Sequence, residues 1–544
     1  MAAPPPATAQ AAGAGARGQE GLPALLRSPG AAGPLFKEEE GLPVLLQSPV
    51  AAGHLLKEEA PAARRILFLG AALTGHFTPL LRLMRWFHEQ GGWEVHMVPQ
   101  ASLLPQIPEW VVVHRPMDSE MMDGFAKKMF RDIGEQAPDW SASFVQMLTS
   151  FSEFPMADCA EQQKTAMEVI REISPSAVVA DASWGLGNHL NTFCTRAGVP
   201  LAVLSCPGRP DPATSTLGIM WMLFRYGGLG KMRKMMSALG ELKERVRPLS
   251  GEPLPDSQKP LMLLPGTEVL LESAPAPHEL VCGPFLPLPP PVASGGFQRP
   301  ADALEEAPGM CPELRRWLLS DPGVPIVYVA FGSLVRLGAG AVARLAQALR
   351  GASWRVLWVL GEECRGLLPA ELRASGGGWR LESWVPQRDV LGFEGVRCFV
   401  SHCGGNSSQE SLAFGVPMVC MPFFCDQFEW ASAIVGHAGA GVLVDKRASS
   451  TAELRAAVRR ALEDPGLAAA ARRVAEGMRR EARRRSAQVV RSPSAGDIPG
   501  VAVAASLIVE LAEGRDPRGG FGREPAGGLL GLCARRARAA PGRR

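Results

Sequence analysis

No pair of the eleven cysteines has CxxC spacing, so neither a zinc ribbon nor a redox dithiol is written into this chain. Their number is odd as well, and Cys398 and Cys403 fall in a strand-turn segment that suits small packed thiols. Structural thiols in a reducing compartment are expected, and no metal site. Net charge is nearly absent: +3 over 544 residues gives no global case for nucleic acid. No stretch reaches the ~18 apolar residues of a membrane span. The opening MAAPPPATAQAAGAGARGQE lacks the basic start and apolar core of a secretory signal. The expected location is the cytoplasm, with a plastid-type leader as the alternative.

The charge that is present is unevenly spread. Arg472, Arg473, Arg479, Arg480, Arg483, Arg484 and Arg485 lie in one run that alternates with Val474, Met478 and alanines. A solvated helix face is the expectation there, an anionic partner the alternative. The length exceeds one ordinary core and predicts two domains plus tails. Residues 1–62 read as a disordered tail holding a duplication: EGLPALLRSPGAAGPLFKEE from Glu20 and EGLPVLLQSPVAAGHLLKEE from Glu40. Two copies fall short of a solenoid, and each LPxLL could dock a partner.

ARRILFLGA reads as a buried first strand, TGHFTP as a loop, LLRLMRWFHEQ as a helix and WEVHMV as the next strand. AVVADASW and GVPLAVLS repeat the unit, and TEVLLES and ELVCGPF close the half. This predicts a doubly wound parallel sheet over 63–285. A Pro/Gly-rich linker follows at 286–310. A second such domain runs through 311–492, then a helix at 497–513 and an Arg/Gly-rich tail at 514–544. Loops after the strands should face a cleft from both sides.

The segment Trp384–Gln427, WVPQRDVLGFEGVRCFVSHCGGNSSQESLAFGVPMVCMPFFCDQ, offers what a uridine diphosphate sugar needs. Trp384 can stack on a base and Val385 can give backbone groups to its edge. Gln387 can reach a ribose hydroxyl. FVSHCGGNSSQESL is a strand, a glycine turn and a helix start. There Asn406 or Ser407 can cap the helix, and the free N–H groups favour an anion. Gly404 and Gly405 let the backbone come close, and His402 can donate to a departing phosphate. Glu410 shares a helix face with Asn406 and Ser407 and can accept from two ribose hydroxyls. Asp426 and Gln427 can bind sugar hydroxyls, and Ser333 in FGS adds one more phosphate donor. Each has a structural alternative: a core tryptophan, a backbone-satisfied histidine, an i, i+4 brace.

This segment resembles the signature box of plant secondary-product glycosyltransferases, in the UDP-dependent glycosyltransferase superfamily, and matches its length without a gap. The likeness extends loosely from Arg65 to Glu513. It implies the GT-B fold, a UDP-sugar as co-substrate with no separate cofactor, and inverting transfer without a metal. It also implies a last helix that crosses back to the N-terminal domain. The matching positions are Trp384 for the base, Gln387 and Glu410 for the ribose, and His402, Asn406, Ser407 and Ser333 for the diphosphate. Asp426 and Gln427 match the sugar positions. Two departures stand out. The plant box has tryptophan where this chain has Gly405, so HCGGN resembles the bacterial and animal versions. Phe393 replaces the histidine after VLG.

Transfer to a hydroxyl needs a base. His76, after the first strand, titrates near neutral pH, and Asp181, at another strand end, can orient it. The resemblance assigns the same two roles. The methionine- and aromatic-rich stretches Met117–Phe154 and Pro207–Tyr226 suit a small lipophilic hydroxylated acceptor. The function expected is transfer of a hexose, glucose in the first instance. Alternatives are a sterol or lipid glycosyltransferase at a membrane surface, a UDP-sugar epimerase, and a non-catalytic nucleotide-binding scaffold.

Overall fold

The computed structural model describes residues 63–70, 74–117, 156–182, 184, 188–205, 229–252, 254, 259–271, 275–290, 298, 309–351, 353–373, 378–488 and 498–519, with Arg225 and isolated positions between 124 and 150. The LPxLL repeats, most of both acceptor stretches and the end of the basic tail lie outside these residues.

Strand β1 (Arg64–Leu69) shows why the sheet forms. Ile66 and Phe68 point into one apolar cluster, Leu67 and Leu69 into another, and all four are fully buried. A strand covered on both faces reads as an unbroken apolar run, which is the signature of a parallel sheet. Helix α1 (Thr74–Gln90) leads to β2 (Trp93–Val98) and the short β3 (Val112–Val113). Helix α2 (Met156–Ile173) precedes β4 (Ala177–Asp181), and α3 (His189–Ala197) precedes β5 (Leu201–Leu204). After α4 (Leu229–Ser250) come β6 (Leu261–Leu264) and β7 (Glu279–Val281). All pairings are parallel, in the order β3-β2-β1-β4-β5-β6-β7.

The second sheet repeats the scheme. Helix α5 (Pro312–Leu319) leads to β8 (Ile326–Ala330), and α6 (Ala339–Leu349) to β9 (Arg355–Val359) and β10 (Trp379–Glu382). Helix α7 (Gln387–Leu391) precedes β11 (Val396–Ser401), and α8 (Gly405–Ala413) precedes β12 (Met418–Cys420). Helix α9 (Gln427–Ser432) leads to β13 (Gly441–Leu443), followed by α10 (Thr451–Glu463) and α11 (Pro465–Gln488). The order is β10-β9-β8-β11-β12-β13. Helix α12 (Pro499–Ala512) then packs into the core of the first sheet beside β1 and α1.

In both sheets the strand order reverses once, between β1 and β4 and between β8 and β11. Ligands of open α/β sheets bind at such a reversal, beyond the carboxyl ends. The two reversals are where the candidate residues cluster.

Three local expectations are corrected. TGHFTP is the first part of α1, with Pro79 inside the helix, and not a loop. The last strands of the first half are LMLL and ELV, while Glu268–Leu270 is a 3₁₀ turn. The arginine run is not a uniformly solvated face, since Arg485 and Glu481 are buried on α11. Glu481 accepts from the Thr267 hydroxyl, the Glu268 N–H and Arg485 Nε, and Arg485 also pairs with Glu268. The seam between the halves needs these charges, so they leave solvent. Burial pushes the Glu481 carboxyl up, with Arg485 opposing it.

Helix α12 enters through a tight passage. A methyl on Gly500 would stand 2.5 Å from the Pro284 carbonyl oxygen and 2.6 Å from that of Gly283. Those are backbone atoms and cannot rotate away, so Gly500→Ala should cost about 2 kcal/mol. The loss should appear as a lower urea midpoint at unchanged slope. A midpoint equal to wild type would mean that the helix does not dock this closely.

Candidate active site

Helix α1 begins five residues after the end of β1 and carries His76 in its first turn. Nδ1 of His76 donates to Oδ2 of Asp181 at 2.9 Å, and the carboxylate is buried while the ring is part-exposed. An ionised carboxylate can only accept, so the proton sits on Nδ1 and the lone pair on Nε2. Asp181 is the last residue of β4, adjacent to β1 in the sheet, which is what brings two residues 105 positions apart together.

Pro79 explains the next contact. Lacking an N–H, it cannot bond the Gly75 carbonyl one turn earlier. That carbonyl accepts from Asn406 Nδ2 at 3.1 Å, across the seam from α8. Asn406 is therefore turned toward the His76 turn. The expectation that Asn406 or Ser407 caps α8 is corrected: Gly404 holds the N-cap position, with no side-chain cap. No side chain caps the helix start because a glycine stands there, and of its N–H groups that of Gly405 is given to the Asp426 carboxylate.

His402 follows β11 and is buried between two glycines. A methyl on Gly332 would lie 2.7 Å from its Nε2, and one on Gly404 would lie 2.5 Å away. Gly332 also holds φ +69°, a conformation that costs glycine least. Burial lowers the imidazole to about 4, with a hydrogen bond to the Ala330 backbone opposing the shift. A neutral ring has one N–H, and here it serves Ala330. Donation to a phosphate would require the phosphate's charge to bring a second proton onto the ring. Ser333, in the exposed turn beside it, accepts at its carbonyl from Arg336 Nη1 at 2.8 Å.

Gln387, Ser407 and Glu410 form one network. Gln387 Nε2 donates to Glu410 Oε2 at 2.7 Å and to Ser407 Oγ at 3.1 Å, and its Oε1 accepts from the Tyr328 hydroxyl at 3.1 Å. Gln387 is thus first a brace between β8, α7 and α8. Burial, with Glu410 nearby, pushes the Tyr328 phenol well above its ordinary value, which keeps it a donor. Sequence reasoning missed Tyr328 because it reads as one more apolar strand residue. Arg82 was missed likewise. Burial lowers its guanidinium, the Glu410 charge opposing, and it donates to the Phe285 carbonyl at the linker. Trp384 stands 51 % exposed at the rim while Val385 beside it is buried.

Gln427 is buried, and its Oε1 accepts from the Phe423 and Phe424 N–H groups at 2.9 and 3.2 Å. It braces the turn that carries Asp426. The indole of Trp430 stands beside Gly405, its Nε1 2.9 Å from where a Cβ would be. Trp430, three residues beyond the box, thus occupies the space that a side chain at position 405 would enter.

Residues 310–474 match the family model described as UDP-glucoronosyl and UDP-glucosyl transferase. Over these residues the chain is similar to the UDP-glycosyltransferase superfamily. It is 40 % identical over 168 residues to an indole-3-acetate beta-glucosyltransferase of Zea mays, which is 30 % of this chain and 36 % of the relative. It is 41 % identical over 113 residues to a myricetin 3-O-rhamnoside 1,2-glucosyltransferase of Crocosmia x crocosmiiflora, or 20 % and 24 %. The match thus spans about a third or less of these relatives' length. The structure of the kitacinnamycin glycotransferase aligns with TM-score 0.59 at 19 % identity, covering 83 % of this chain and all of that one. A Polygonum tinctorium UDP-glucosyltransferase gives 0.53 at 18 %, covering 84 % and 99 %. At these identities the likeness is one of fold, the GT-B pair of facing α/β domains. No helix among the described residues is long and apolar enough to cross a membrane.

Asp426 bears a measurable cost. Burial raises its carboxyl from 3.8 to about 6, while His76 and the Gly405 N–H pull it down. A folded value above the unfolded one means that the folded state holds the proton more tightly. Its contribution is favourable below about pH 4 and is lost as pH rises through about 6. Asp426→Asn should therefore match wild type in stability near pH 4 and exceed it at pH 7.5 by roughly 2 kcal/mol. Denaturant midpoints at the two pH values check this; equal stability at pH 7.5 would contradict the buried charge.

Proposed function

We propose that this chain is an inverting glycosyltransferase that moves a hexose, glucose in the first instance, from a UDP-sugar to a hydroxyl of a small lipophilic acceptor. The observation that carries the reading is the His76–Asp181 pair, set at one sheet reversal and within electrostatic reach of Asp426 at the other domain's rim. The curated relatives support it, since the names of those from Zea mays and Crocosmia specify glucosyl transfer to an indole acid and a flavonoid glycoside.

In this mechanism Nε2 of His76 takes the acceptor proton, with Asp181 stabilising the imidazolium that forms. The acceptor oxygen attacks the anomeric carbon and UDP leaves from the opposite face, so the configuration inverts. Charge grows on the departing diphosphate. The uncapped helix start at Gly404–Ser407, the Ser333 turn and a re-protonated His402 would meet it, each oriented donor worth roughly 3–4 kcal/mol. Trp384 would stack on the uracil with Val385 at its edge, and Glu410, held by Gln387, would take the ribose hydroxyls. Asp426 and Gln427 would face the sugar. No cofactor or metal is invoked, and added chelator should leave turnover unchanged.

The test is a UDP-release assay across several UDP-sugars with phenolic, carboxylic, terpenoid and sterol acceptors, the product read by mass and its anomeric configuration by NMR. A product that retains configuration, or release of no UDP with any pair, would overturn the reading. His76→Ala should lower kcat about 10³-fold with UDP affinity within twofold, and Asp181→Asn should lower it about 10²-fold. Full turnover in His76→Ala would remove His76 from the role.

A further inference from the structure

Lys446 follows β13 and is 93 % buried, yet among the described residues it makes no ion pair within 4.0 Å. Its Nζ donates to the Phe423 carbonyl at 2.5 Å and lies 5.5 Å and 5.7 Å from the ring centres of Phe423 and Phe428. An ammonium held by a carbonyl and two ring faces, without a carboxylate, is costly to bury. Burial lowers it to about 8, Asp445 opposing and Arg447 assisting. Asp445 is turned to its own loop, where its Oδ1 accepts the Arg447 and Ala448 N–H groups. Arg344 of α6 binds the Lys446 carbonyl at 2.9 Å and fixes the backbone. The side chain stands where a leucine or methionine would be cheaper.

Its partner explains the choice. Phe423 opens the turn Phe423–Asp426, whose N–H groups at 423 and 424 are already held by Gln427. The turn passes through Cys425 at φ 51° and ends in Asp426. The Phe423 ring packs edge-on against Phe331 at 5.6 Å, and Phe331 directly precedes the Gly332–Ser333 turn beside His402. Phe423 is therefore a point shared by two loops: its backbone lies in the turn carrying Asp426, and its ring packs against Phe331 of the other. Lys446 holds that point from below.

We infer that Lys446 is a positioning residue that fixes the sugar-side turn of the donor site, so that Asp426 meets the transferred hexose. The inference rests on the glycosyl-transfer reading above. A merely structural lysine and a positioning one part company in Lys446→Met. That variant keeps the stem and removes the buried charge, so it should be as stable as wild type or more so. Its affinity for UDP should stay within twofold, while its affinity for UDP-glucose, by calorimetry, should fall about tenfold. Lys446→Arg keeps the charge and should recover most of that loss. In wild type, UDP-glucose affinity should weaken as pH rises through 8 while UDP affinity does not, and Lys446→Met should be flat over that range.

Equal weakening of UDP and UDP-glucose in Lys446→Met overturns the inference, and so does no change in either. Should Lys446→Met fail to fold, Lys446→Gln in the same titrations decides between the same outcomes. If wild type binds UDP-glucose and the variant binds it alike, only this inference falls. If wild type binds no UDP-sugar at any pH, the transfer reading falls first and takes this one with it.

Discussion

One hydrogen bond, from Nδ1 of His76 to the buried carboxylate of Asp181, is the constraint around which the two halves are arranged. It fixes a tautomer, and a fixed tautomer leaves a basic nitrogen with a defined direction. The bond exists because β1 and β4 are neighbours, so a helix starting after one passes over the last residue of the other. Both members of the pair come from the N-terminal domain. What the C-terminal domain must do is stand at the correct distance from it.

That distance is set by a seam of directional contacts. Asn406 reaches the Gly75 carbonyl, which Pro79 has no N–H to bond, and Gln409 Nε2 reaches the Pro265 carbonyl at 3.1 Å. Arg388 holds the Pro287 carbonyl at 2.9 Å, and Glu481 takes Thr267 and the Glu268 N–H. An apolar seam would tolerate sliding, since dispersion has little direction. Hydrogen bonds to particular carbonyls do not. The Pro79 contact matters most, because it ties the helix start of one domain to the very turn that bears His76. A proline that reads as a helix breaker is what makes the domains register.

The parallel sheets were legible because buried strands alternate between two cores and leave continuous apolar runs, as Ile66 to Leu69 and Ile326 to Ala330 do. The short strand LMLL was passed over for TEVLL, since β-branching and length favoured the wrong run and only pairing to β5 decides it. The candidate donor residues stand out in the sequence by their order along strand-loop-helix units. Their hydrogen bonds do not. Gln387 and Gln427 carry the right groups for a sugar nucleotide, but tertiary packing spends part of each on Tyr328, Glu410, Phe423 and Phe424. Amides brace as readily as they bind, and sequence does not tell the two apart. The buried arginine and glutamate of α11 were hidden for a related reason: a charged helix face reads as solvated until a second domain covers it.

The energetic cost of this arrangement falls unevenly between the halves. His76 and Asp181 satisfy each other. The donor rim does not balance in this way. Cys403, next to His402, holds φ 64°, and Cys425, next to Asp426, holds φ 51°. Left-handed conformations in such residues cost about 1 kcal/mol or more each. Asp426 is held well above its ordinary carboxylate range and Lys446 below its ordinary amine range, both by burial. Four unfavourable terms within a few residues of three strand ends persist only because rigid strands beneath over-determine the turns. The apolar layers on both faces of the second sheet supply that rigidity. Under the proposed function, a rim held rigid in this way would leave its ligand little affinity to spend on ordering it.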